Sequence, residues 1–132
     1  MTEPGASAVP LARKLNLRDG MRVWFHAMPD DVHEELDEYA LELTFVADPA
    51  RGIDAAHVFV TKHDELAELL IALRNQIALD GQVWVSWPIS GSDITEDRVR
   101  ELALPEGYID TKSSPVNELW NGLKLVIRKD LR

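Results

Sequence analysis

Val58-Phe59-Val60-Thr61-Lys62-His63-Asp64-Glu65-Leu66 opens a stretch that runs on through Leu73 and Ile77 to Gln82-Val83-Trp84-Val85-Ser86-Trp87. Ala55 to Val60, with Val58-Phe59-Val60 as its core, is β-branched and aromatic and reads as a strand. Leu66, Leu69, Leu70, Leu73 and Ile77 then recur at helical spacing. His63, Asp64 and Glu65 fill the first turn, Thr61 is the expected N-cap, and Asp80-Gly81 is the expected left-handed stop. Gln82 to Trp87 is again a strand, closed by Pro88. A strand, a helix and a strand in that order require a crossover, so the two strands run parallel.

The same alternation extends in both directions. Upstream, Met21 to Ala27 is apolar almost without interruption, as suits a strand covered on both faces. Met28-Pro29 ends it, and Asp30 or Asp31 is expected to cap a helix carrying Val32, Leu36, Tyr39 and Ala40 on one stripe. Leu41 to Val46 reads as a strand ending at Asp48-Pro49, with a turn at Ala50-Arg51-Gly52. Leucines 11, 15 and 17 predict a short helical lead-in, preceded by a flexible tail over residues 1–10. Downstream, Thr95 can cap a short helix carrying Val99, Leu102 and Ala103, which Pro105 and Gly107 end. Tyr108 to Val116 and Leu123 to Ile127 are strands whose short connection forces an antiparallel hairpin. The expected architecture is one small three-layer α/β domain over residues 11–132, with a mostly parallel sheet of about six strands ending in that hairpin.

Composition narrows the function classes. The chain has 132 residues, no cysteine and a net charge of −9. Without cysteine there is no disulfide, no thiolate nucleophile and no thiolate metal site. The acidic balance argues against nucleic-acid binding, and no uncharged apolar run approaches the ~18 residues of a membrane span. No apolar leader marks the first ten residues, so the expected location is cytoplasmic. The charge is local. Residues 23–50 carry eight acids and no Lys or Arg, which accounts for −8 of the −9. Residues 13–22 and 124–132 each sum to +3. Glu34, Glu35, Asp37 and Glu38 form an acidic helix face, read either as a solvated surface or as a docking face for a basic protein partner.

Two resemblances rest on particular residues. Leu15-Asn16-Leu17-Arg18-Asp19-Gly20-Met21-Arg22-Val23 resembles the approach to the first strand of Rossmann-like methyltransferases, and the terminal hairpin is similar too. Met28-Pro29-Asp30-Asp31, Trp84-Val85-Ser86-Trp87-Pro88, Thr95-Glu96-Asp97 and Leu119 to Arg128 resemble an uncharacterised bacterial family, domain of unknown function 3052. Together they imply a Rossmann-like domain. In the methyltransferases an acid and a glycine-rich turn follow the first strand, so that the backbone can approach the cofactor. Here the acid falls on Phe25 and the glycines on Ala27 and Pro29. No cofactor is therefore expected. There is also no GxGxxG turn and no GxxxxGK[ST] loop.

In open α/β sheets ligands bind beyond the carboxyl ends of the parallel strands. That edge should gather His26, Met28, Asp30 and Asp31 after the first strand and Lys62 and His63 after the third. Trp87, Trp120 and Asn121 should join them as aromatic and polar walls. Each has an ordinary alternative, since Asp30 and Asp31 can be helix caps and either tryptophan a core plug. His26, His63 and an aspartate do not form a recognised metal pattern, and no metal is predicted. Two function classes stay open. One is a non-catalytic binding or interaction module, and the other a small enzyme or ligand-binding domain using that edge.

Overall fold

The computed structural model describes residues 10–47 and 52–132. The expected tail over 1–9, and the strand end and turn over 48–51 with Asp48, lie outside the described residues. In chain order the elements are α1 (Leu11–Lys14), β1 (Arg22–His26), α2 (Asp30–Asp37), β2 (Thr44–Phe45) and β3 (Ile53–Phe59). Then follow α3 (His63–Arg74), β4 (Ile77–Pro88), α4 (Glu96–Ala103), β5 (Tyr108–Ser113) and β6 (Trp120–Ile127).

The six strands form one sheet in the order β2-β1-β3-β4-β6-β5. β2, β1, β3 and β4 pair in parallel, while β6 runs antiparallel between β4 and β5. The sheet is covered on both faces. Alternate residues of β1, β3 and β4 feed two separate cores, as the period of two requires. Trp24, Val58, Val83 and Val85 pack with Leu66, Leu70 and Leu73 of α3 and Val99 of α4. Val23, Ala55, Phe59 and Trp84 pack instead with Leu11 of α1 and Val32 and Leu36 of α2. A three-layer α/β domain with a mostly parallel sheet is therefore what the chain forms.

The boundaries differ from expectation at several places. α2 stops at Asp37, so Tyr39 and Ala40 lie beyond it, and β2 is only Thr44–Phe45, not Leu41 to Val46. α3 stops at Arg74, and Ile77 belongs to β4, where it sits opposite Ile53. Gly81 is thus inside a strand with no positive φ. A Cβ there would lie 2.8 Å from Ile77 Cγ1 and 3.0 Å from the Asp54 carbonyl oxygen, so close approach of two backbones explains the glycine. Asp30 and Asp31 do not cap α2. They lie in its first turn, the N-cap is Pro29, and their charges complement the helix dipole. Likewise the N-cap of α3 is Lys62, not Thr61, and no side chain caps it. Thr95 does cap α4, its hydroxyl accepting from the Arg98 amide at 3.2 Å.

Two polar groups lie deep between the strands. His57 on β3 is 2% exposed, stacks on Phe59 and has Nε2 2.7 Å from Ser86 Oγ on β4. Burial pushes the imidazole down to about 3, so it stays neutral in the folded protein. Below pH 6.5 the unfolded chain binds a proton that the folded one refuses, so stability is lost as pH falls from 6.5 toward 3. The expected loss by pH 5 is about 2 kcal/mol, at 1.36 kcal/mol per pH unit. Urea unfolding at pH 7 and pH 5 should show a smaller loss in His57→Gln than in the natural protein. A second constraint is Gly122, where a Cβ would stand 2.5 Å from the Ser114 carbonyl oxygen and 3.2 Å from the Trp84 ring. Gly122→Ala should cost about 1–3 kcal/mol, read as a lowered unfolding midpoint.

Candidate functional site

The strand order reverses between β1 and β3, because the chain leaves β1 toward β2 and leaves β3 toward β4. The crevice beyond the carboxyl ends of those two strands is the place where an open α/β sheet accepts ligands. One side-chain pair spans it. His26 ends β1, Glu65 lies in the first turn of α3, and His26 Nε2 is 3.2 Å from Glu65 Oε2. Both are partly exposed, at 30% and 41%. The His26 ring also tilts against Trp24 at 5.6 Å, which fixes the imidazole from the sheet side. A histidine oriented by a carboxylate is a proton-transfer pair in chemical terms.

The turn after β1 carries the rest of the crevice wall. Phe25 points to the opposite face and packs edge-on against His33 and Phe45 at 5.6 Å each. Ala27 has φ of +55°, a left-handed conformation that a residue with a Cβ rarely adopts. Met28 packs into the α1/α2 core. Pro29 gives its carbonyl oxygen to the amides of Val32 and His33 and has no N–H of its own. Asp30 and Asp31 are exposed beside it.

Lys62 is exposed at the start of α3. His63 turns to its neighbour, with Nδ1 3.6 Å from Asp64 Oδ1 at the surface. Neither meets His26, and no group of three metal-ligating side chains occurs among the described residues.

Farther along the edge, a groove of about 350 Å³ follows the end of β4. Trp87, Ser90, Ser92, Thr95, Glu96 and Asn121 line it. Trp87 stands opposite Asn121 in the β4–β6 ladder but is 4% exposed, so its ring belongs mainly to the core. Ser92 accepts from the Ile94 amide at 3.0 Å and reaches the Thr61 carbonyl at 3.4 Å, which ties the groove's loop to the end of β3. The Glu96 carboxyl takes the Ser113 hydroxyl at 2.6 Å and pairs with Arg100, and these hold it below the usual carboxylate range. Trp120 lies edge-on to Phe59 at 5.0 Å, half-buried.

The expected residues therefore lie along one edge but in two groups. Trp87 and Asn121 share the groove, and His26 works with a residue that pattern reading missed. Glu65 looks like any first-turn acid. Only the adjacency of β1 and β3 places it opposite His26, from which it is 39 positions distant in sequence.

Comparison with known proteins agrees with this topology. A family described as "Protein of unknown function (DUF3052)" matches residues 12–129. No curated protein matches the chain. Among solved structures, a TehB-like SAM-dependent methyltransferase from Corynebacterium glutamicum is similar at 10% identity and a TM-score of 0.56, covering 89% of this chain and 85% of that one. The magnesium protoporphyrin IX methyltransferase of Synechocystis, solved with bound SAM, is similar at 11% identity and 0.59, over 89% and 74%. A 1,6-didemethyltoxoflavin-N1-methyltransferase of Burkholderia thailandensis reaches 14% and 0.61, over 90% and 75%. At such identities the likeness concerns the fold, which is Rossmann-like and of the methyltransferase kind.

The contacts separate scaffold from site. Trp120→Ala removes a half-buried ring from Phe59 and should cost about 2–4 kcal/mol in urea unfolding. Glu65→Gln breaks a partly exposed pair and should cost less than about 1 kcal/mol in the same measurement.

Proposed function

The chain belongs to the family described as protein of unknown function DUF3052, and we propose that it is a non-catalytic binding module on a methyltransferase-like scaffold. The turn after β1 carries this reading. A nucleoside cofactor at that turn needs backbone amides and an open approach. This chain offers the Cβ of Ala27 in a left-handed turn, a proline without N–H at position 29, and Phe25 packed among His33 and Phe45. Those residues do not fit S-adenosylmethionine.

A protein partner is the occupant that the charge distribution supports. Asp30, Asp31, Glu34, Glu35, Asp37 and Glu38 follow one another on α2 and its C-terminal end, exposed or half-buried. Among the described residues none of them is in an ion pair. A surface of that kind favours a basic partner by steering and contact. The second reading, a small enzyme or ligand-binding domain at the carboxyl edge, draws support from the His26–Glu65 pair and from the methyltransferase neighbours.

Calorimetry separates the two. Titration with S-adenosylmethionine or S-adenosylhomocysteine should give no saturable heat at about millimolar ligand. Saturable binding that weakens in His26→Ala would overturn the first reading in favour of the second. For the partner, a lysine-rich peptide should bind with an affinity that falls as salt rises, and the Glu34→Gln/Glu35→Gln/Asp37→Asn/Glu38→Gln variant should weaken it by about tenfold or more. Equal affinity in the variant would remove α2 as the docking face.

A further inference from the structure

Among the described residues, a cavity larger than the carboxyl-edge groove lies at the opposite end of the sheet, at the amino ends of the parallel strands. Its volume of about 740 Å³ falls within the range of small-molecule sites. Five segments separate in sequence wall it, that after α2 supplying Tyr39 and Leu41. Arg13, Asn16 and Arg18 come from α1 and the loop after it, Asp54 from β3, Asp80 from β4 and Lys124 from β6. Tyr39, Leu41, Met21 and Val126 supply apolar surface.

The polar groups are arranged unequally. Arg13, Arg18 and Lys124 have no carboxylate partner among the described residues. Lys124 is half-buried, and its ammonium is held below the usual range by burial and by the nearby charges of Lys112 and Arg18. Three cations face two carboxylates, Asp54 and Asp80, in the same lining, which leaves a small positive excess. Asp54 already accepts from the Arg22 amide at 2.9 Å, so one of the two acids on the far wall is engaged.

Asn16 is part of the wall. It sits at φ of +59°, and its Oδ1 is buried with no hydrogen-bond partner. A buried acceptor left unmade is costly. This one is shielded even from water, so it lies behind the cavity surface and is not a contact for an incoming molecule. The wall behind it is rigid, because the Leu15 carbonyl accepts from both Gln82 Nε2 at 2.7 Å and Trp84 Nε1 at 3.0 Å.

We propose that this amino-edge cavity binds a small molecule that carries an oxyanion, a phosphate ester or a carboxylate, on a partly apolar body. Arg13, Arg18 and Lys124 hold the oxyanion. Guanidinium groups suit its forked geometry, and Lys124 adds a point charge. Tyr39, Leu41 and Val126 take the apolar part. The site is separate from α2 and from the carboxyl edge, so it stands whatever those bind.

Phenyl phosphate is the probe, with phenol as its uncharged control. Titrated into the full chain and followed by amide chemical shifts, phenyl phosphate should give saturable changes at residues 13–18, 80–82 and 124. Phenol at the same concentration should leave those amides unmoved. The Arg13→Gln/Lys124→Met variant should weaken the phosphate response by about tenfold or more. Its unfolding midpoint should be no lower than that of the natural chain, because Lys124→Met relieves repulsion. If the variant misfolds, Arg13→Gln alone carries the test. No saturable change up to about 10 mM phenyl phosphate, or equal affinity in the variants, would overturn the proposal. So would changes confined to the carboxyl edge.

Discussion

One backbone oxygen organises this molecule. The Leu15 carbonyl accepts from the Gln82 amide and the Trp84 indole, and both donors are buried, at 6% and 1% exposure. Leaving a buried donor unmade costs about 1–3 kcal/mol, so two such donors on β4 leave α1 no other resting place. Lys112 Nζ adds a third strap, donating to the Lys14 carbonyl at 2.7 Å while lying 5.9 Å from the Trp84 ring centroid. The straps meet the last carbonyls of α1, where a helix has orphan acceptors and favours positive charge. A four-residue helix could not persist alone. Here donors from β4 and β5 hold it, with Leu11 and Leu15 buried beneath.

That arrangement makes the two ends of the sheet unlike one another. At the carboxyl end the large apolar candidates are taken up by the scaffold. Trp87 fills one core, Trp120 leans on Phe59, Met28 joins the other core, and the end of the first strand turns through a left-handed alanine into a proline. The His26–Glu65 pair, the groove after β4 and the exposed Asp30, Asp31 and Lys62 stay accessible. At the amino end α1 forms a roof that is pinned from behind and open in front. Its cations and the β6 lysine share one lining with Asp54 and Asp80, three positive charges against two negative.

Much of the fold was legible because it depends on periodicity. The apolar run at Met21 to Ala27, the leucines of α3 and the short hairpin connection gave the strand and helix types, the parallel sense and the antiparallel ending. Boundaries were less legible where tertiary contacts overrule local signals. Ile77 fits the helical stripe of α3, yet the Gln76 carbonyl accepts from the amides of Gly52 and Ile53, which draws the chain into the sheet. Asp80-Gly81 then reads like a helix stop but lies in β4 where its register with β3 shifts and the two backbones come close. Of the carboxyl edge, the residues after each strand were legible from topology alone. Their partners were not, since Glu65 becomes special only through strand order. The amino-edge cavity was hidden for the same reason. Two positive segments, 13–22 and 124–132, were visible as separate charge clusters, and only the antiparallel insertion of β6 beside β4 brings Lys124 near Arg18.

The charge pattern has a physical meaning that the net value conceals. A domain of net −9 repels a polyanion at distances up to about the Debye length, ~8 Å at physiological salt. A cavity that crowds Arg13, Arg18 and Lys124 attracts an anion at contact distance, where screening is weak. The two effects act on different ligands. A long polyanion meets the acidic surface as well as the pocket, and its many charges multiply the repulsion. A compact molecule with one or two charges presents little to the far field and can place its oxyanion wholly inside the cationic wall. The acidic helix and the cationic cavity thus work in one direction. On the proposed site, segregating charge in this way would let one small domain select an anion by its size as well as by its sign.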